Sequence, residues 1–497
     1  MKAQGNEAIV EIVGQNSHDR YVKPTVDLAG RRILIIGLAR TGFATAQFCA
    51  ARGAQVTVVE ERHESDVASI APGLDAHGIP DYAQHLRARG VSVQCGGKFT
   101  ELFAEANLII PSPGVPANLP EITRAREAGI TVWSEIELAW RFLRGRLFAV
   151  TGSNGKTTTV SLLGHILRQA QLPALVGGNI GTPLISLVDE SSDNTIAVAE
   201  ASTFQLELTE AFRPDVAILL NITPDHLDRH GSFEEYSRLK RCIFANQRET
   251  DETILNADDP GGGEDLPECP RIGWFSRKHP VLRGAYIRSG EIVLSDNGVE
   301  MPLMSREEVP LPGAHNLENV LAASFAAHLA GVAPDAIASG VRSFTAVEHR
   351  LEFVAEIGGI RFYNDSKATN VDAALKALES FTQPVHIILG GKDKGGDFIA
   401  LRAPLCRHAC RAILIGNAAG KIARQIDGAV SIEIAGTLDA AVTLAFAGAH
   451  PGEIILLAPA CASFDQFQNF EHRGRVFKQL VAGLHQNLMA DSLVRKG

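Results

Sequence analysis

Cysteine is scarce in this sequence, and the features that would tie the chain to a membrane or a nucleic acid are missing. Seven cysteines are spread over 497 residues, and only Cys406 and Cys410 stand close together. Their spacing is that of one helical face with no second pair beside it. Neither a disulfide framework nor a zinc-ligand pattern is indicated, and reduced thiols are expected. No apolar run approaches the length that crosses a bilayer, and Glu7, Glu11 and Asp19 stand where a signal peptide would keep its apolar core. A net charge of −10 without a basic block lacks the electrostatic footprint of a nucleic-acid binder. These absences predict a cytoplasmic protein with no membrane insertion and no nucleic-acid partner, whose anionic ligands must be held by local cations. The length suits about three domains, each with its own core. Sustained periodicity is missing before Leu28, so residues 1–28 are expected to form a flexible extension.

The most informative stretch is Ala149-Val150-Thr151-Gly152-Ser153-Asn154-Gly155-Lys156-Thr157-Thr158-Thr159. The apolar run 147–150 reads as a buried strand, the glycines as a tight turn, and Thr157 onward as a helix with Val160, Leu162, Leu163, Ile166 and Leu167 on its apolar face. Strand, glycine loop and helix form a phosphate cradle: backbone N–H groups converge on phosphate oxygens, Lys156 brings an ammonium, and the Thr157 hydroxyl suits Mg²⁺. Only two residues separate Gly152 from Gly155, fewer than in the usual phosphate-loop pattern. An ATP-type nucleotide is the expected ligand.

A first domain, 29–144, opens with a strand over 32–36, the loop Gly37-Leu38-Ala39-Arg40-Thr41-Gly42, a helix through Phe43, Ala46 and Phe48, and a second strand ending at Glu60 and Glu61. That is the outline of a dinucleotide fold, but Ala39 replaces the middle glycine of the fingerprint, so a dehydrogenase cofactor is not indicated. A strand over 108–110 runs into Pro111-Ser112-Pro113-Gly114-Val115, a rigid loop where a nucleotide-like ligand is expected. The second domain, 145–346, adds Gly177-Gly178-Asn179-Ile180-Gly181. A strand over 195–199 delivers Glu200, a carboxylate suited to Mg²⁺, followed by Ala201 and Ser202. Another strand opens into Asn221-Ile222-Thr223-Pro224-Asp225-His226. Lys240 lies on a helix through Tyr236 and Leu239, where composition gives no reason to separate it from a surface lysine. Asn316 and Asn319, three apart on a helix, can present both amides to a planar group such as adenine. In the third domain, 347–497, strands are expected over 360–363, 371–378, 385–389, 411–415 and 453–457, alternating with helices around a mostly parallel sheet. Polar loops follow at 364–370, 390–394 and 460–467. Cations from this domain could close over a triphosphate held by the second.

Together these motifs resemble the Mur ligase family from about residue 31 to 477. The phosphate loop, Asn364-Asp365-Ser366-Lys367-Ala368-Thr369-Asn370, and Ser463-Phe464-Asp465-Gln466-Phe467-Gln468-Asn469-Phe470-Glu471-His472-Arg473-Gly474 carry the resemblance. The last stretch is similar to the branch that adds D-glutamate. The resemblance implies an α/β fold of three domains: Rossmann-like, central P-loop ATPase-type, and a second Rossmann-like domain. It implies ATP-driven amide formation through an acyl phosphate in peptidoglycan synthesis, with UDP-N-acetylmuramoyl-L-alanine and D-glutamate as substrates, by a chain expected to act as a monomer.

By the same resemblance, Gly152, Ser153, Asn154, Gly155, Lys156, Thr157, Thr158, Asn316, Asn319, Arg350 and Asp365 hold ATP. Thr157 and Glu200 serve one Mg²⁺, and His226 with Lys240 a second. Lys240 matches the family lysine carbamylated by carbon dioxide, and Lys156, His226, Lys240 and Lys367 surround the reacting groups. Arg40, Thr41, Glu60, Glu61, Arg62 and Gly114 fall on the uridine-diphosphate loops, with Asn179 and Ser202 towards the muramoyl-alanine end. Thr369, Lys394, Ser463, Phe464 and Phe470 match positions that hold D-glutamate, whose two carboxylates need a cation such as Lys394.

Overall fold

The computed structural model describes residues 23–494 except 25, 64–81, 180, 260, 262–270 and 346. Most of the expected extension, and Ile180 of the 177–181 loop, therefore lie outside the described residues. The strands form three sheets. The first contains β1 (Arg32–Ile36), β2 (Gln55–Glu60), β3 (Ser92–Cys95), β4 (Leu108–Pro111) and β5 (Thr131–Val132) in the order β3-β2-β1-β4-β5. All its pairings are parallel. The apolar runs 33–35 and 108–110 are buried because parallel strands are covered on both faces. The strand order reverses between β1 and β4. This opens a crevice at their carboxyl ends, where the 37–42 and 111–115 loops emerge.

The second sheet holds β6 (Arg146–Thr151), β7 (Ala174–Gly178), β8 (Ile196–Glu200), β9 (Val216–Leu219), β10 (Glu252–Asn256), β11 (Arg271–Ser276), β12 (Gly284–Arg288), β13 (Glu291–Asp296) and β14 (Val299–Ser305). Its order is β14-β13-β12-β11-β10-β9-β6-β8-β7. β6 is flanked in parallel by β8 and β9, so the phosphate loop, Glu200 and Asn221 leave the sheet side by side. The third sheet, β15 (Glu352–Ile357), β16 (Ile360–Asn364), β17 (Val385–Gly390), β18 (Ala409–Ile415), β19 (Ser431–Gly436) and β20 (Ile454–Leu457), runs β15-β16-β20-β17-β18-β19. Only the β15–β16 pair is antiparallel. Loops 364–370, 390–394 and 458–463 consequently emerge at one edge. Among the described residues no helix is long and apolar enough to cross a membrane.

Two expectations about local structure fail. Residues 371–378 form the helix Val371–Leu378, not a strand. The Asn370 side chain accepts the Ala373 N–H as an N-cap, and Ala374, Ala377 and Leu378 are buried at helical spacing. The apolar run had concealed a period of 3.6. Cys406 and Cys410 do not share a helical face either. The helix Arg402–His408 carries the first, while the chain enters β18 at Ala409 and carries the second on a strand.

A buried carboxylate joins the first two sheets. Glu137, on the helix Glu135–Phe142, accepts N–H groups from Glu210 at 2.9 Å, Ala211 at 3.1 Å and Phe212 at 2.8 Å, and the Arg141 Nε at 2.8 Å. Glu137→Ala strands these donors in the interior and is expected to cost about 3 kcal/mol. A chemical-denaturation midpoint equal to wild type would contradict that.

Candidate active site

The phosphate loop is shaped by two positive-φ glycines. Gly155 (φ 87°) immediately precedes the helix Lys156–Gln169, and an added Cβ would lie 2.2 Å from the Asn319 Oδ1. Gly152 (φ 152°) would place its Cβ 3.0 Å from the Leu220 Cβ. The Asn154 N–H donates to the Asn221 Oδ1 at 2.9 Å, and the Ser153 hydroxyl to the Thr223 carbonyl at 2.8 Å. The loop therefore leans on the end of β9.

Two ammonium groups converge on a single carbonyl. Lys156 Nζ donates to the Gly152 and Ser153 oxygens, and Lys240 Nζ donates to the same Gly152 oxygen at 2.9 Å. Lys240 is 2 % exposed, which separates it from a surface lysine where composition could not. The helix Phe233–Arg241 is amphipathic, and Lys240 falls on its buried face with Tyr236 and Leu239. Its Nζ lies 4.4 Å from the Tyr236 ring centroid. Burial, and then the Lys156 charge, push the Lys240 amine well below the ordinary lysine range. Lys156 is lowered too, chiefly by burial and partly offset by Glu200.

Opposite these cations stands an oxygen-rich group. The Thr157 hydroxyl donates to the Glu200 Oε2 at 2.9 Å, and the Asn179 amide to the other Glu200 oxygen at 3.0 Å. Burial raises the Glu200 carboxyl, but Lys156, Lys367 and Arg350 outweigh it and keep it ionised. His226 takes a left-handed backbone (φ 53°), which a non-glycine residue rarely adopts. Its ring packs edge-on against Phe204 with centroids 5.0 Å apart, and its Nε2 is 3.7 Å from Asp225.

The third sheet closes the site from the other side. Arg350 donates to the Thr157 hydroxyl at 2.6 Å, and Asn370 to Asp225 at 2.8 Å. Of the expected nucleotide residues, Asn154, Gly155, Thr158, Asn316, Asn319, Arg350 and Asp365 line one cleft, and Lys367, expected near the reacting groups, lines it with them. Burial raises the Asp365 carboxyl to about 7 and lowers the Lys367 amine to about 8. The Lys367 ammonium lies 3.9 Å from the Phe470 ring centroid. Thr369 is half-buried at the end of the same loop and its N–H reaches the Lys367 oxygen at 2.7 Å. Lys394 is close enough for its charge to help hold Asp225 below the usual carboxylate range, against the effect of burial. Ser463 is buried, and its neighbour Ala462 exchanges backbone hydrogen bonds with Lys392, which joins the two loops. Phe464 is 67 % exposed and does not join this group.

At the first sheet, Glu60 turns inward. It accepts the Leu38 N–H at 2.8 Å and pairs with Arg62 at 2.8 Å, which orders the 37–42 loop. Glu61 is exposed. Arg40, within that stretch and the first residue of the helix Arg40–Ala51, donates to the Gly181 oxygen at 2.5 Å, and Arg229 reaches the Gly114 and Val115 oxygens. The Ser202 hydroxyl is engaged as the cap of the helix Thr203–Leu206.

Two residues escaped the sequence reading. Asp372 accepts from the Asn154 amide and, at 3.0 Å, from the Thr223 hydroxyl, and so ties the third sheet to the phosphate loop. The mistaken strand over 371–378 hid it, whereas an N-cap reading of Asn370 would have put it in the first turn of a helix. Arg473, fully buried, donates to the Ser366 hydroxyl at 2.9 Å, the Ser366 carbonyl at 2.7 Å and the Cys461 carbonyl at 3.1 Å. It clamps the 364–370 and 460–463 loops together.

A phosphate loop, a carboxylate–hydroxyl pair and cations from a second α/β sheet define an enzyme that activates a substrate with a nucleoside triphosphate. Family profiles match all three sheets: Mur ligase MurD-like, N-terminal domain, over 31–134; Mur ligase middle domain over 150–327; and Mur ligase, glutamate ligase domain, over 349–461. The chain belongs to the Mur ligase family. It is 51 % identical over 459 residues to the UDP-N-acetylmuramoylalanine–D-glutamate ligase of Acidobacterium capsulatum, spanning 92 % of this chain and 97 % of that protein. The ligase of the same name from Koribacter versatilis is 48 % identical over 92 % of this chain and 98 % of its own length. Among solved structures, the pseudomurein peptide ligase type C of Methanothermus fervidus shares the fold with a TM-score of 0.57 at 18 % identity, over 92 % of this chain and all of that one.

Proposed function

We propose that this chain is the cytoplasmic ligase that joins D-glutamate to UDP-N-acetylmuramoyl-L-alanine at the expense of ATP, a step of peptidoglycan synthesis. The observation that supports this most strongly is the convergence of Lys156 and Lys240 on the Gly152 carbonyl, facing the Thr157–Glu200 pair and roofed by Arg350. In this reading the alanine carboxylate attacks the γ-phosphate and ADP leaves. The D-glutamate amine then displaces phosphate from the acyl phosphate.

Both reacting partners of the first step are anions, so the groups around them must neutralise charge and fix alignment. Lys156 and Arg350 bind the phosphate oxygens, and Lys367 serves the anion being transferred. Asn316 and Asn319 hold the adenine, and Asp365 helps to fix the nucleotide. Thr157 with Glu200 offers the hard oxygen donors that Mg²⁺ requires, and they already meet at 2.9 Å. His226 with Lys240 would hold a second ion. An ammonium cannot ligate a metal, so Lys240 fits only as a carbamate, and its lowered basicity favours the neutral amine that takes up carbon dioxide. Bound there, Mg²⁺ supplies charge neutralisation on the transferring phosphoryl group. The crevice between β1 and β4, with Arg40, Thr41, Arg62 and Gly114 at its mouth, takes the uridine diphosphate. Asn179 lies on the path from there to Glu200.

Lys394 and Thr369, with Ser463 and Phe470, receive D-glutamate. Lys394→Ala is expected to raise the D-glutamate KM by about 100-fold with ATP binding retained, the loss of one charge-assisted contact to a carboxylate. An unchanged KM would reject that role. The assay for the whole reading is phosphate release from ATP with UDP-N-acetylmuramoyl-L-alanine, comparing D-glutamate with L-glutamate, L-lysine and diaminopimelate and checking product mass. Turnover with D-glutamate alone supports it; turnover with a different acceptor keeps the ligase chemistry and rejects the acceptor.

A further inference from the structure

The third sheet has a second chemically distinctive end. Its catalytic loops leave the carboxyl ends of the strands, but at the opposite end His386, Cys410 and Glu453 come together. His386 is the second residue of β17, Cys410 the second of β18, and Glu453 directly precedes β20, the strand that pairs with β17. One ligand-type atom from each lies within 4.8 Å of the other two. The His386 Nε2 is 2.9 Å from one Glu453 oxygen, and the Cys410 Sγ is 3.9 Å from the other.

Those separations are near the ones a tetrahedral ion needs. With bonds of about 2.0 Å to nitrogen or oxygen and about 2.3 Å to sulfur, ligand atoms stand about 3.3 Å apart for N···O and about 3.5 Å for S···O. The nitrogen and the sulfur face different oxygens of Glu453, so an ion would take one of these oxygens or both after small side-chain rotations.

Three further observations concern how the cluster is built. The β17–β18 register slips between Val385 and His386, which pair with Ala409 and Arg411, so Cys410 is the extra residue of a bulge. Bulges re-aim side chains, and this one brings the thiol to Glu453. The backbone N–H of His450 donates to the Glu453 Oε2 at 2.8 Å, which anchors the carboxylate. The His386 ring is buried, and its Nδ1 has no hydrogen-bond partner. With the imidazole proton placed on Nδ1, the Nε2 lone pair that faces Glu453 is available to an ion. An ion pair accounts for His386 and Glu453, and the bulged cysteine adds a weak thiol hydrogen bond to the same carboxylate, so all three donors already converge without an ion. A second such cluster, Glu348, His349 and Glu352, already carries the Lys478 ammonium at 2.9 and 2.7 Å from its two carboxylates, which opposes a cation there.

We propose that His386, Cys410 and Glu453 form a zinc-class metal site at the amino end of the β17, β18 and β20 strands, remote from the catalytic loops. The donor set of imidazole, thiolate and carboxylate selects a borderline-soft ion such as Zn²⁺ over Mg²⁺. Three protein ligands leave a fourth position for water, and exposed Cys410 gives the ion an entrance. Binding releases the thiol proton and cross-links three strand starts, so it stabilises the domain by mass action.

The test titrates the full-length, reduced, metal-free protein with Co²⁺, which reports thiolate ligation by a sulfur-to-metal charge-transfer band, and with Zn²⁺ in competition. The expected result is one equivalent of Co²⁺ with that band, displaced by Zn²⁺ and lost in Cys410→Ser. Because Cys410 is exposed, this variant should melt like the wild type without metal. Zn²⁺ is also expected to slow alkylation of Cys410 by about tenfold or more, read by peptide mass, and Glu453→Gln to remove most of that protection. Absence of a charge-transfer band with excess Co²⁺, its persistence in Cys410→Ser, or unprotected Cys410 under saturating Zn²⁺ would each overturn the proposal. None of these readouts depends on ligase activity, so they stand apart from the assignment of the reaction.

Discussion

Lys240→Ala is expected to abolish turnover, by about 10³-fold or more, with ATP binding largely retained. The magnitude is that of removing a preorganised electrostatic group from a water-excluded site. The structure sharpens the reason. Lys240 is 2 % exposed and its Nζ shares the Gly152 carbonyl with Lys156, an arrangement that places two ammonium groups beside one another unless one is neutral. Burial and the Lys156 charge both favour the neutral amine, the form that adds carbon dioxide. In the proposed role, conversion to a carbamate would change a redundant cation into a carboxylate able to share Mg²⁺ with His226. Short carboxylates or added bicarbonate should therefore restore part of the activity to Lys240→Ala, because they replace the lost oxygen donors, and not to Lys156→Ala, which lacks a cation instead. The sign of the pH effect follows. Acidification protonates the amine and reverses carbamate formation, so wild-type activity should fall on the acid side and recover partly with bicarbonate. Full activity of the alanine variant, measured as phosphate release, would remove Lys240 from the reaction.

Gly155→Ala is the second large effect. The residue holds φ 87°, and an alanine Cβ there would lie 2.2 Å from the Asn319 Oδ1 and 3.2 Å from the Leu220 Cδ1. The left-handed backbone alone costs a side chain about 1 kcal/mol. The clash adds to that, because Asn319 is buried and held by hydrogen bonds to the Thr159 hydroxyl and the Asn316 amide oxygen, which any movement away from the methyl group would break. Relief requires the loop to lift from the start of the helix, which removes converging N–H groups from the phosphates. We expect nucleotide affinity to fall by about 100-fold or more, or 2.7 kcal/mol and upward on about that scale, when ADP is titrated calorimetrically. The melting temperature should fall less than in Glu137→Ala, since the strained loop lies at the edge of the core. Wild-type nucleotide affinity would show that the loop tolerates the added methyl group and that its shape is not what holds phosphate.

The strongest readings from the sequence were those whose physics is local. The apolar run before Gly152, the glycine spacing and the helical period after Thr157 describe a strand, a turn and a helix without reference to anything distant. The strands over 32–36, 108–110 and 385–389 were legible because buried parallel strands are continuous apolar runs. The run 371–378 failed for the same reason: a short apolar segment satisfies a strand and a helix alike, and Asn370 decided the matter through one capping hydrogen bond. Lys240 looked like any surface lysine because its burial depends on where the helix Phe233–Arg241 is docked. The role proposed for it rests on resemblance, and the burial came only with the structure.

By itself the sequence determined the phosphate cradle and the three-domain α/β division, since each rests on contiguous residues or local pattern, whereas the roles proposed around the reacting groups rest on resemblance. Only the tertiary structure decided which of those residues meet. Arg350 reaches Thr157, Asp372 reaches Asn154, and Lys240 reaches the Gly152 carbonyl across separations that no local pattern encodes. His386, Cys410 and Glu453 likewise become neighbours only when three parallel strands align their starts. The physical reason is that sheet order and register are set by burial of whole faces, a sum over many side chains, whereas a site depends on the few polar atoms that this burial brings within about 3 Å of one another.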